Sequence, residues 1–396
     1  MPLRVLYLDH TAKIGGGEIA LVNLLRHLDR SLVFPIALLF MEGPLRERLM
    51  GCCDTHVIPL ADSALTANKD GLGWKSLLQL RASLSVLLQI WRVVRFAQKM
   101  EIDLIHTNSL KADIIGGIAA RIAGIPVVWH VRDRIETDYL PKIVVRVFRF
   151  LSQNLPDFVI ANSSATLDTL HLHRKRRSAA VDANGRVVHD GCNVVSIKDD
   201  SDGSSETTVR IGLVGRISPW KGQDIFIKAA ALLKQKHPEA KFEIIGAPLF
   251  SERAYEADLH KLCDELKVND TVEFAGFVEN MPARIADLDI VVHASTTGEP
   301  FGQVIIEGMA GQKPVVATNG GGVPEIVQDG ITGLLVPMGD AQRMAEAIAY
   351  LLTHPHEATE MGVRGRERVQ THFTIQKTAR MVEEVYGEVF GRPLAG

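Results

Sequence analysis

The sequence has few cysteines, few aromatic residues and almost no excess of either charge. Its 396 residues include four cysteines and 6% aromatic residues, and 44 lysines and arginines oppose 47 aspartates and glutamates, giving a formal net charge of −3. The cysteines form no C-x-x-C pair, which argues against a disulfide scaffold and a zinc site. A protein that coats nucleic acid needs a strong positive excess, so we expect no nucleic-acid partner.

Long apolar segments are also missing. The longest plain one, Val33 to Met41, is far too short to span a bilayer. The amino-terminal segment Leu3–Leu8 has the pattern of a strand rather than of a signal peptide. We therefore expect a cytoplasmic protein, and the length of the chain predicts two or three domains.

Short apolar runs alternate with helical patterns along the whole chain, which predicts an α/β fold. Six strands are expected in each half, beginning with Arg4–Leu8 and Val209–Val214, and their apolar character is typical of parallel sheets covered on both faces. Residues 196–208 hold many turn formers and almost no apolar residue, so they are predicted to be a linker. We predict two doubly wound domains, residues 1–195 and 209–373, that face one another across a cleft.

Glycine-rich turns follow the first predicted strand of each domain. In the first domain Gly16 and Gly17 open a helix, where free N–H groups bind anions, although a tight turn alone explains them equally well. In the second domain Gly215 precedes Arg216 and Lys221, two cations that suit a diphosphate. The alternative is a pair of solvated surface cations, which the position at a strand end disfavours.

A third signal is the string from Glu299 to Glu307, which follows the fourth predicted strand of the second domain. The backbone N–H groups of Phe301, Gly302 and Gln303 lie at a predicted helix start, where they are free to bind oxygen atoms. Two carboxylates beside such amides suit a ligand with many hydroxyl groups, because a carboxylate accepts paired hydrogen bonds. Each acid taken alone has an ordinary alternative as a solvated residue.

In these motifs the chain resembles the retaining glycosyltransferases of family 4, which have the GT-B fold. The matching strings are Gly16–Glu18, Gly215–Arg216, Lys221–Gly222, Glu299–Gly302 with Glu307, Gly321–Glu325 and Gly330–Val336. The resemblance implies a nucleotide-diphosphate sugar as the donor, bound mainly by the second domain, with residues 1–195 as the acceptor domain. It also implies that the last segment, residues 374–396, forms a helix that crosses back to the first domain.

The resemblance also implies roles for individual residues. Arg216 and Lys221 would hold the diphosphate, and Glu307 would bind the ribose hydroxyls. Glu299 would bind the donor sugar together with nearby amides. The donor-binding residues implied in the second domain are Gly215, Arg216, Lys221, Phe277, Val278, Glu299, Phe301, Gly302, Gln303 and Glu307.

In the first domain the resemblance implies that Gly16 and Gly17 close over the phosphates. His130 ends a predicted strand, and a histidine at that place in the family contacts the donor sugar near the reacting carbon. The catalytic residues implied are His130, Glu299, Arg216 and Lys221. A lone histidine is more often structural, so the role of His130 depends on the resemblance.

Sugar transfer leaves negative charge on the diphosphate, which the two cations and helix amino termini would stabilise. We therefore expect no metal and no cofactor besides the donor itself. The expected reaction moves a hexose to a hydroxyl acceptor with retention, by same-face attack, in the synthesis of a polysaccharide, glycolipid or other glycoconjugate. Replacing Lys221 or Glu307 by Ala is expected to abolish transfer and to leave the fold intact, since both residues are expected to be exposed.

The acceptor, a sugar or a lipid-linked sugar, is expected on the first domain. The segment Tyr139–Asn154 mixes basic and apolar residues, and His171–Arg177 is a dense basic run. Together they could contact an anionic membrane at its inner face. The alternative, an ordinary amphipathic core helix followed by a solvated loop, is slightly favoured.

Two other functions remain open at this stage. A nucleotide-sugar epimerase of the same two-lobe fold binds the same donors but uses no acceptor. A non-catalytic partner that keeps the fold is the third reading, and the presence of both cations and both carboxylates weakens it.

Overall fold

The computed structural model of the chain describes residues 1–60, 76–138, 140–172, 184–194, 208–248 and 252–394, with the backbone alone for residues 76–83. The chain divides into two compact units. Unit 1 is Met1–Asp190 with Ile375–Gly396, and unit 2 is Gly191–Thr374. The predicted linker at 196–208 lies outside the described residues except for Thr208, as do Trp74 and Tyr139.

Unit 1 is built on a seven-stranded parallel sheet in the order β3-β2-β1-β4-β5-β6-β7. The strands are β1 Leu3–Asp9, β2 Val33–Leu39, β3 Asp54–Val57, β4 Leu104–Thr107, β5 Val127–Val131, β6 Phe158–Ala161 and β7 Gly185–Val187. The helices are α1 Gly16–His27, α2 Pro44–Met50, α3 Ser76–Lys99, α4 Leu110–Ala123, α5 Lys142–Asn154, α6 Ser164–Thr169 and, at the end of the chain, α14 Ile375–Val389.

Side chains alternate across this sheet, as they do on any strand. Leu6 and Leu8 face one core, onto which α3, α4 and α5 pack side by side. Tyr7 faces the opposite core, which α1 and the carboxyl-terminal helix α14 cover. Helix α14 therefore belongs to unit 1, where Val382 and Tyr386 are fully buried.

Unit 2 has a six-stranded parallel sheet in the order β10-β9-β8-β11-β12-β13. The strands are β8 Val209–Val214, β9 Ala240–Ile245, β10 Val272–Gly276, β11 Ile290–His293, β12 Val315–Thr318 and β13 Leu334–Val336. A 3₁₀ turn spans Pro219–Lys221, and the helices are α7 Gln223–Leu233, α8 Arg253–Leu266, α9 Met281–Ala286, α10 Gln303–Ala310, α11 Val323–Ile326, α12 Ala341–Thr353 and α13 Pro355–His372.

Both sheets confirm the predicted class of two doubly wound parallel-sheet domains. In each, the strand order reverses between the first strand and the fourth, and this reversal places a crevice outside the carboxyl ends of those two strands. The short strand β7 was not predicted, nor were the short helices α2, α6 and α9. Among the described residues no helix combines the length and the apolar character needed to cross a bilayer.

Candidate active site

The most concentrated group of charged residues at the reversal point of unit 2 surrounds Glu299. The loop after β8 carries Lys221, and the loop after β11 carries Glu299. The Lys221 Nζ lies 2.9 Å from Glu299 Oε2 and 3.1 Å from Oε1. It also lies 4.1 Å from the centre of the Trp220 ring, within cation–π distance.

A glycine holds these two loops together. Gly222 has φ +71°, and a Cβ there would come within 2.0 Å of the carbonyl oxygen of Ala294. Only glycine permits both the backbone conformation and the close approach. The backbone of Thr296 then donates to the Trp220 carbonyl at 2.9 Å. Lys221 is thereby fixed beside the end of β11.

Two further side chains complete the surroundings of the Glu299 carboxylate. Ser295 donates its hydroxyl to Glu299 Oε2 at 2.8 Å, and His293 Nε2 lies 3.1 Å from the same oxygen. Thr318, at the end of the neighbouring strand β12, lies 3.2 Å from His293 Nδ1 and donates to the Ser295 carbonyl at 2.9 Å. Each of these side chains ends a strand or follows one directly, which is why they converge.

Glu299 stays ionised although it is buried. Burial by itself raises the pKa of this carboxyl, but the Lys221 ammonium and the hydrogen bond from His293 outweigh it and hold the pKa far below its usual range. The side chains of Glu299 and Lys221 are only 11% and 19% exposed. The expectation that Lys221 is an exposed residue is therefore wrong, and we now expect its removal to lower stability, because it leaves a buried carboxylate without a counter-charge.

The backbone of Glu299 is held by the glycine turn after β12. Gly321 has φ +64°, and a Cβ there would lie 2.0 Å from the Glu299 carbonyl oxygen. The amide of Gly322 donates to that oxygen at 2.8 Å. The glycine string at 320–322 thus supports the loop that carries the carboxylate.

Helix α10 presents a second carboxylate. Gly302, with φ +123°, precedes the helix and caps it without a side-chain hydrogen bond. Gln303 donates its amide to Glu307 Oε1 at 3.2 Å, while its own Oε1 is buried without a hydrogen-bond partner. Burial raises the pKa of Glu307 to about 7, and the bond from Gln303 offsets part of this effect.

The two predicted diphosphate cations have different carboxylate partners. Arg216 Nε lies 3.4 Å from Glu252 Oε2, and its side chain is 40% exposed. Gly215 donates its backbone N–H to the Ile245 carbonyl at 2.9 Å. Phe277, just after β10, is exposed, whereas Val278 packs into the core of unit 2, as does Phe301.

In unit 1 a line of hydrogen bonds runs from helix α14 to the end of β5. The hydroxyls of Tyr7 and Tyr386 are 2.8 Å apart, and the Tyr386 hydroxyl is 2.8 Å from His106 Nδ1. His106 Nε2 is 3.2 Å from His130 Nδ1, which also lies 3.3 Å from an Arg132 NH2 group. All of these residues except Arg132 are fully buried.

We call this line of hydrogen bonds the relay. Arg132 determines which of its atoms donate and which accept. A guanidinium only donates, so His130 Nδ1 accepts and the proton of the neutral ring is on Nε2. His106 Nε2 then donates to the same atom, and His106 Nδ1 accepts from the Tyr386 hydroxyl. Burial lowers the pKa of His106 to about 3 and that of His130 well below its usual range, so both rings are neutral. The relay ends at His130 Nε2, which is buried without a hydrogen-bond partner.

The predicted glycines of unit 1 lie next to the same network. Gly16 and Gly17 begin α1, and the Gly17 carbonyl accepts from the Asn108 side chain at 3.4 Å. Asn108 in turn accepts from Arg132 Nε at 2.9 Å, and Arg132 pairs with Asp190. Burial, followed by the charge of Asp9, raises the pKa of Glu18 to about 7.

Two family models match the two halves of the chain. The model described as glycosyl transferases group 1 matches residues 196–368, and the model described as glycosyltransferase family 4 matches residues 14–194. The chain belongs to the group 1 glycosyltransferases.

Named relatives agree with this membership. D-inositol 3-phosphate glycosyltransferase of Streptomyces avermitilis is 29% identical over 307 residues, which are 72% of this chain and 65% of that protein. The chain thus spans just under two thirds of the length of that relative.

Solved structures show the same two-domain GT-B fold. HepE of Anabaena, in complex with UDP-glucose, is 28% identical over 98% of this chain and 100% of that one, with a TM-score of 0.82. Sucrose-phosphate synthase of Thermosynechococcus elongatus shares the fold at 22% identity and a TM-score of 0.77, over 98% of this chain and 99% of that one.

Within this glycosyltransferase the sequence reasoning missed the residues that support the predicted ones. His293, Ser295 and Thr318 surround Glu299, and Tyr386 and His106 stand behind His130. A sequence signal existed for the histidines, since His106 and His293 interrupt apolar strands near their carboxyl ends. Tyr386 offered none, because it lies 280 residues from His106.

Proposed function

We propose that this chain transfers a hexose from a nucleotide-diphosphate sugar to a hydroxyl acceptor, with retention of configuration and without a metal. The observation that carries the proposal is the buried pair of Lys221 and Glu299 at the reversal point of unit 2. It supplies a cation for a phosphate and an ionised carboxylate for sugar hydroxyls within one hydrogen-bonded group. The UDP-glucose complex of HepE supports a donor of this class.

In this proposal the bound nucleotide sugar takes up hydrogen-bond and ionic contacts with the side chains of the site. The Lys221 ammonium and the Arg216 guanidinium hold the diphosphate and stabilise the charge that grows on it as the glycosidic bond breaks. The first-turn amides of α10 contribute in the same sense. Glu299 accepts hydrogen bonds from the sugar, and Glu307 accepts those of the ribose diol. Phe277 and Val278 lie beside the nucleobase of the donor.

Unit 1 contributes an uncharged hydrogen-bond donor, His130, and the site for the acceptor. His130 offers its Nε2–H to the donor sugar, and Gly16 and Gly17 approach the phosphates. The acceptor hydroxyl attacks from the face that the diphosphate leaves, and a phosphate oxygen takes its proton. The acceptor is a sugar or a lipid-linked sugar at the cytoplasmic face of an anionic membrane. Family membership favours this transfer over epimerisation.

A panel of nucleotide sugars tests the proposal. Thermal stabilisation and release of nucleoside diphosphate are measured for UDP-, GDP- and ADP-linked hexoses, with and without sugar acceptors. We expect one base to stabilise the protein without added metal and in the presence of a chelator. Stabilisation that requires a divalent ion, or that no nucleotide sugar produces, would contradict the proposal. Inversion at the anomeric carbon of the product would remove the retaining mechanism alone.

A further inference from the structure

The outward layer of unit 1 formed by α3, α4 and α5 exposes apolar side chains in a regular pattern. On α3, Leu84, Leu87, Leu88 and Trp91 are each at least half exposed, and their spacing places them on one face of the helix. On α5, Ile143, Val147 and Phe150 form a similar stripe, with Phe150 66% exposed. Ile122 at the end of α4, which packs on the same core, is nearly half exposed.

These stripes lie opposite the core-facing residues of the same helices. Ile90, Val93, Val94 and Ala97 of α3 and Val145 and Phe148 of α5 pack into one core on one face of the sheet. The exposed stripes of the two helices therefore belong to a common outer layer. Scattered single apolar residues are ordinary on a surface, but a grouped set on neighbouring helices marks an interaction surface.

The exposed charged residues on the three helices themselves are all basic. Exposed basic residues on these helices are Arg92, Arg95, Lys99, Arg121, Lys142 and Arg146. Asp113 is the only acid in the sequences of the three helices, and it is buried. The acids near the layer are Asp157, which pairs with Arg121, Glu136, which pairs with Arg149 of α5, Asp138, which pairs with Arg134, and Glu101, which follows the end of α3. The layer thus combines apolar side chains with a net positive charge.

We infer that this layer docks the protein onto an anionic lipid bilayer. Aliphatic and aromatic side chains enter the boundary between headgroups and acyl chains, while the flanking arginines and lysines contact the anionic headgroups. A second copy of the chain fits the surface less well, because a two-fold contact would bring the same basic residues face to face. The inference rests on the membrane contact in the proposed function and names its surface; because docking requires no donor, its test is independent of sugar transfer.

Sedimentation with vesicles tests this inference on the full chain. Vesicles of phosphatidylcholine alone are compared with vesicles that also contain phosphatidylglycerol, at about 0.05 M and about 0.5 M salt. We expect binding to the anionic vesicles at low salt, and binding weakened roughly tenfold or more at high salt or without the anionic lipid. Equal binding to both vesicles, or binding to neither, would overturn the inference.

Matched variants separate the layer from the rest of the surface. Leu87→Ser combined with Trp91→Ser, and Arg92→Glu combined with Arg146→Glu, are each expected to reduce binding to anionic vesicles roughly tenfold or more. The control is Leu232→Ser with Lys236→Glu, an exposed apolar and basic pair on the surface of unit 2, which should bind as the unaltered protein does. Equal loss in the control would overturn the inference.

Fluorescence supplies a readout at one position. The chain has four tryptophans, of which Trp91 is exposed and Trp129 is buried. Anionic vesicles are expected to shift the emission to shorter wavelength, and Trp91→Phe should remove the shift while it keeps sedimentation. A shift that persists in Trp91→Phe would contradict insertion at α3. An oligomer that Leu87→Ser with Trp91→Ser converts to a monomer would assign the surface to a second copy instead.

Discussion

The two units place functional groups at the same edge of the same kind of sheet but treat charge in opposite ways. In unit 2 the carboxylate of Glu299 is buried and remains ionised, because Lys221 and His293 compensate it. In unit 1 His106 and His130 are buried and remain neutral, because burial lowers the pKa of each ring and the charge of Arg132 lowers it further. Burial favours the neutral form in both cases, and the nearest partner decides the outcome.

The difference shows what kind of contact each unit can offer to a ligand of its own crevice. In unit 2 the ion pair with Glu299 holds the Lys221 ammonium in a fixed, largely desolvated position, so it offers a positioned cation to an anionic ligand such as a diphosphate. In the relay of unit 1 both histidine rings are uncharged and the proton of His130 is on Nε2. The relay therefore presents an N–H group at a defined position without adding charge. A sugar diphosphate needs both kinds of contact, one at the phosphates and one at the sugar.

Breaking the ion pair of unit 2 is expected to have the largest effect. Lys221→Met should reduce transfer by about 10²–10³-fold, since it removes a cation aimed at the leaving group. It should also lower the free energy of unfolding by about 3 kcal/mol, because Glu299 is left buried without a counter-charge. Nucleoside diphosphate release and urea unfolding measure the two effects.

The double variant Lys221→Met with Glu299→Gln is the control for that experiment. It removes both charges, so most of the lost stability should return while transfer stays absent. If the double variant were as unstable as Lys221→Met, the lost stability would not come from the uncompensated charge of Glu299.

Breaking the relay of unit 1 is expected to have a smaller effect. Tyr386→Phe removes the hydroxyl that donates to His106 Nδ1 and leaves that nitrogen unpaired, so the tautomer and orientation of His106, and with them the position of His130, should be held less firmly. We expect kcat to fall about tenfold with little change in KM, and stability to fall by about 1–2 kcal/mol. Nitrogen chemical shifts of labelled histidine rings report the tautomers directly.

Tyr7→Phe is the matched control for the relay. It removes the hydroxyl one step further away and leaves the bond between Tyr386 and His106 in place. Its kcat and its histidine shifts should stay close to those of the unaltered protein. Equal effects of the two substitutions, or unchanged tautomers in Tyr386→Phe, would show that the line of bonds does not position His130.

A third prediction concerns Glu307, whose effect on stability is confined to part of the pH range. Its folded pKa of about 7 is above the ordinary value of 4.5, so its contribution to stability is complete below about pH 4.5 and is lost as the pH rises through 7. Glu307→Gln should therefore be more stable than the unaltered protein by about 2 kcal/mol at pH 8, and the gain should vanish near pH 4. Urea unfolding across this range measures it.

The affinity for the nucleotide-sugar donor should rise over the pH range in which stability falls, because both depend on the ionisation of Glu307. A ribose diol binds the ionised carboxylate, so affinity should rise as the pH passes 7 in the unaltered protein and stay low and flat in Glu307→Gln. Glu273→Gln, at an exposed acid of strand β10, is the control and should change neither property. A stability difference that does not depend on pH would exclude the raised pKa.

Much of the fold could be predicted because its signal is local. The strands β2 and β6 are continuous apolar runs, and the pattern of residues 110–123 predicts a helix with the bounds that α4 has in the structure, Leu110–Ala123. The short elements α6 and β7 could not be predicted, since a helix of six residues and a strand of three carry too little periodicity. The basic run His171–Arg177 lies outside the described residues beyond Leu172.

Part of the candidate site could also be predicted, for a different reason. Lys221, Glu299 and Glu307 stand in strings whose residue types and spacing suit a sugar diphosphate, and a sequence displays such strings directly. Their partners could not be predicted in this way. The contact between Lys221 and Glu299 joins residues 78 positions apart, and no property of either string states that they meet.

By itself the sequence determined the α/β class, the alternation of strands and helices, and the glycines at positions where no other residue fits, such as Gly222 and Gly321. Only the tertiary structure decided which carboxylate pairs with Lys221 and which titratable groups are neutral. It also decided that Tyr386, on helix α14, forms a hydrogen bond with His106, the residue that contacts His130. Periodicity and backbone conformation are local properties of the chain. Ionisation and proton position depend on burial and on distant partners, which exist only once the sheets have formed.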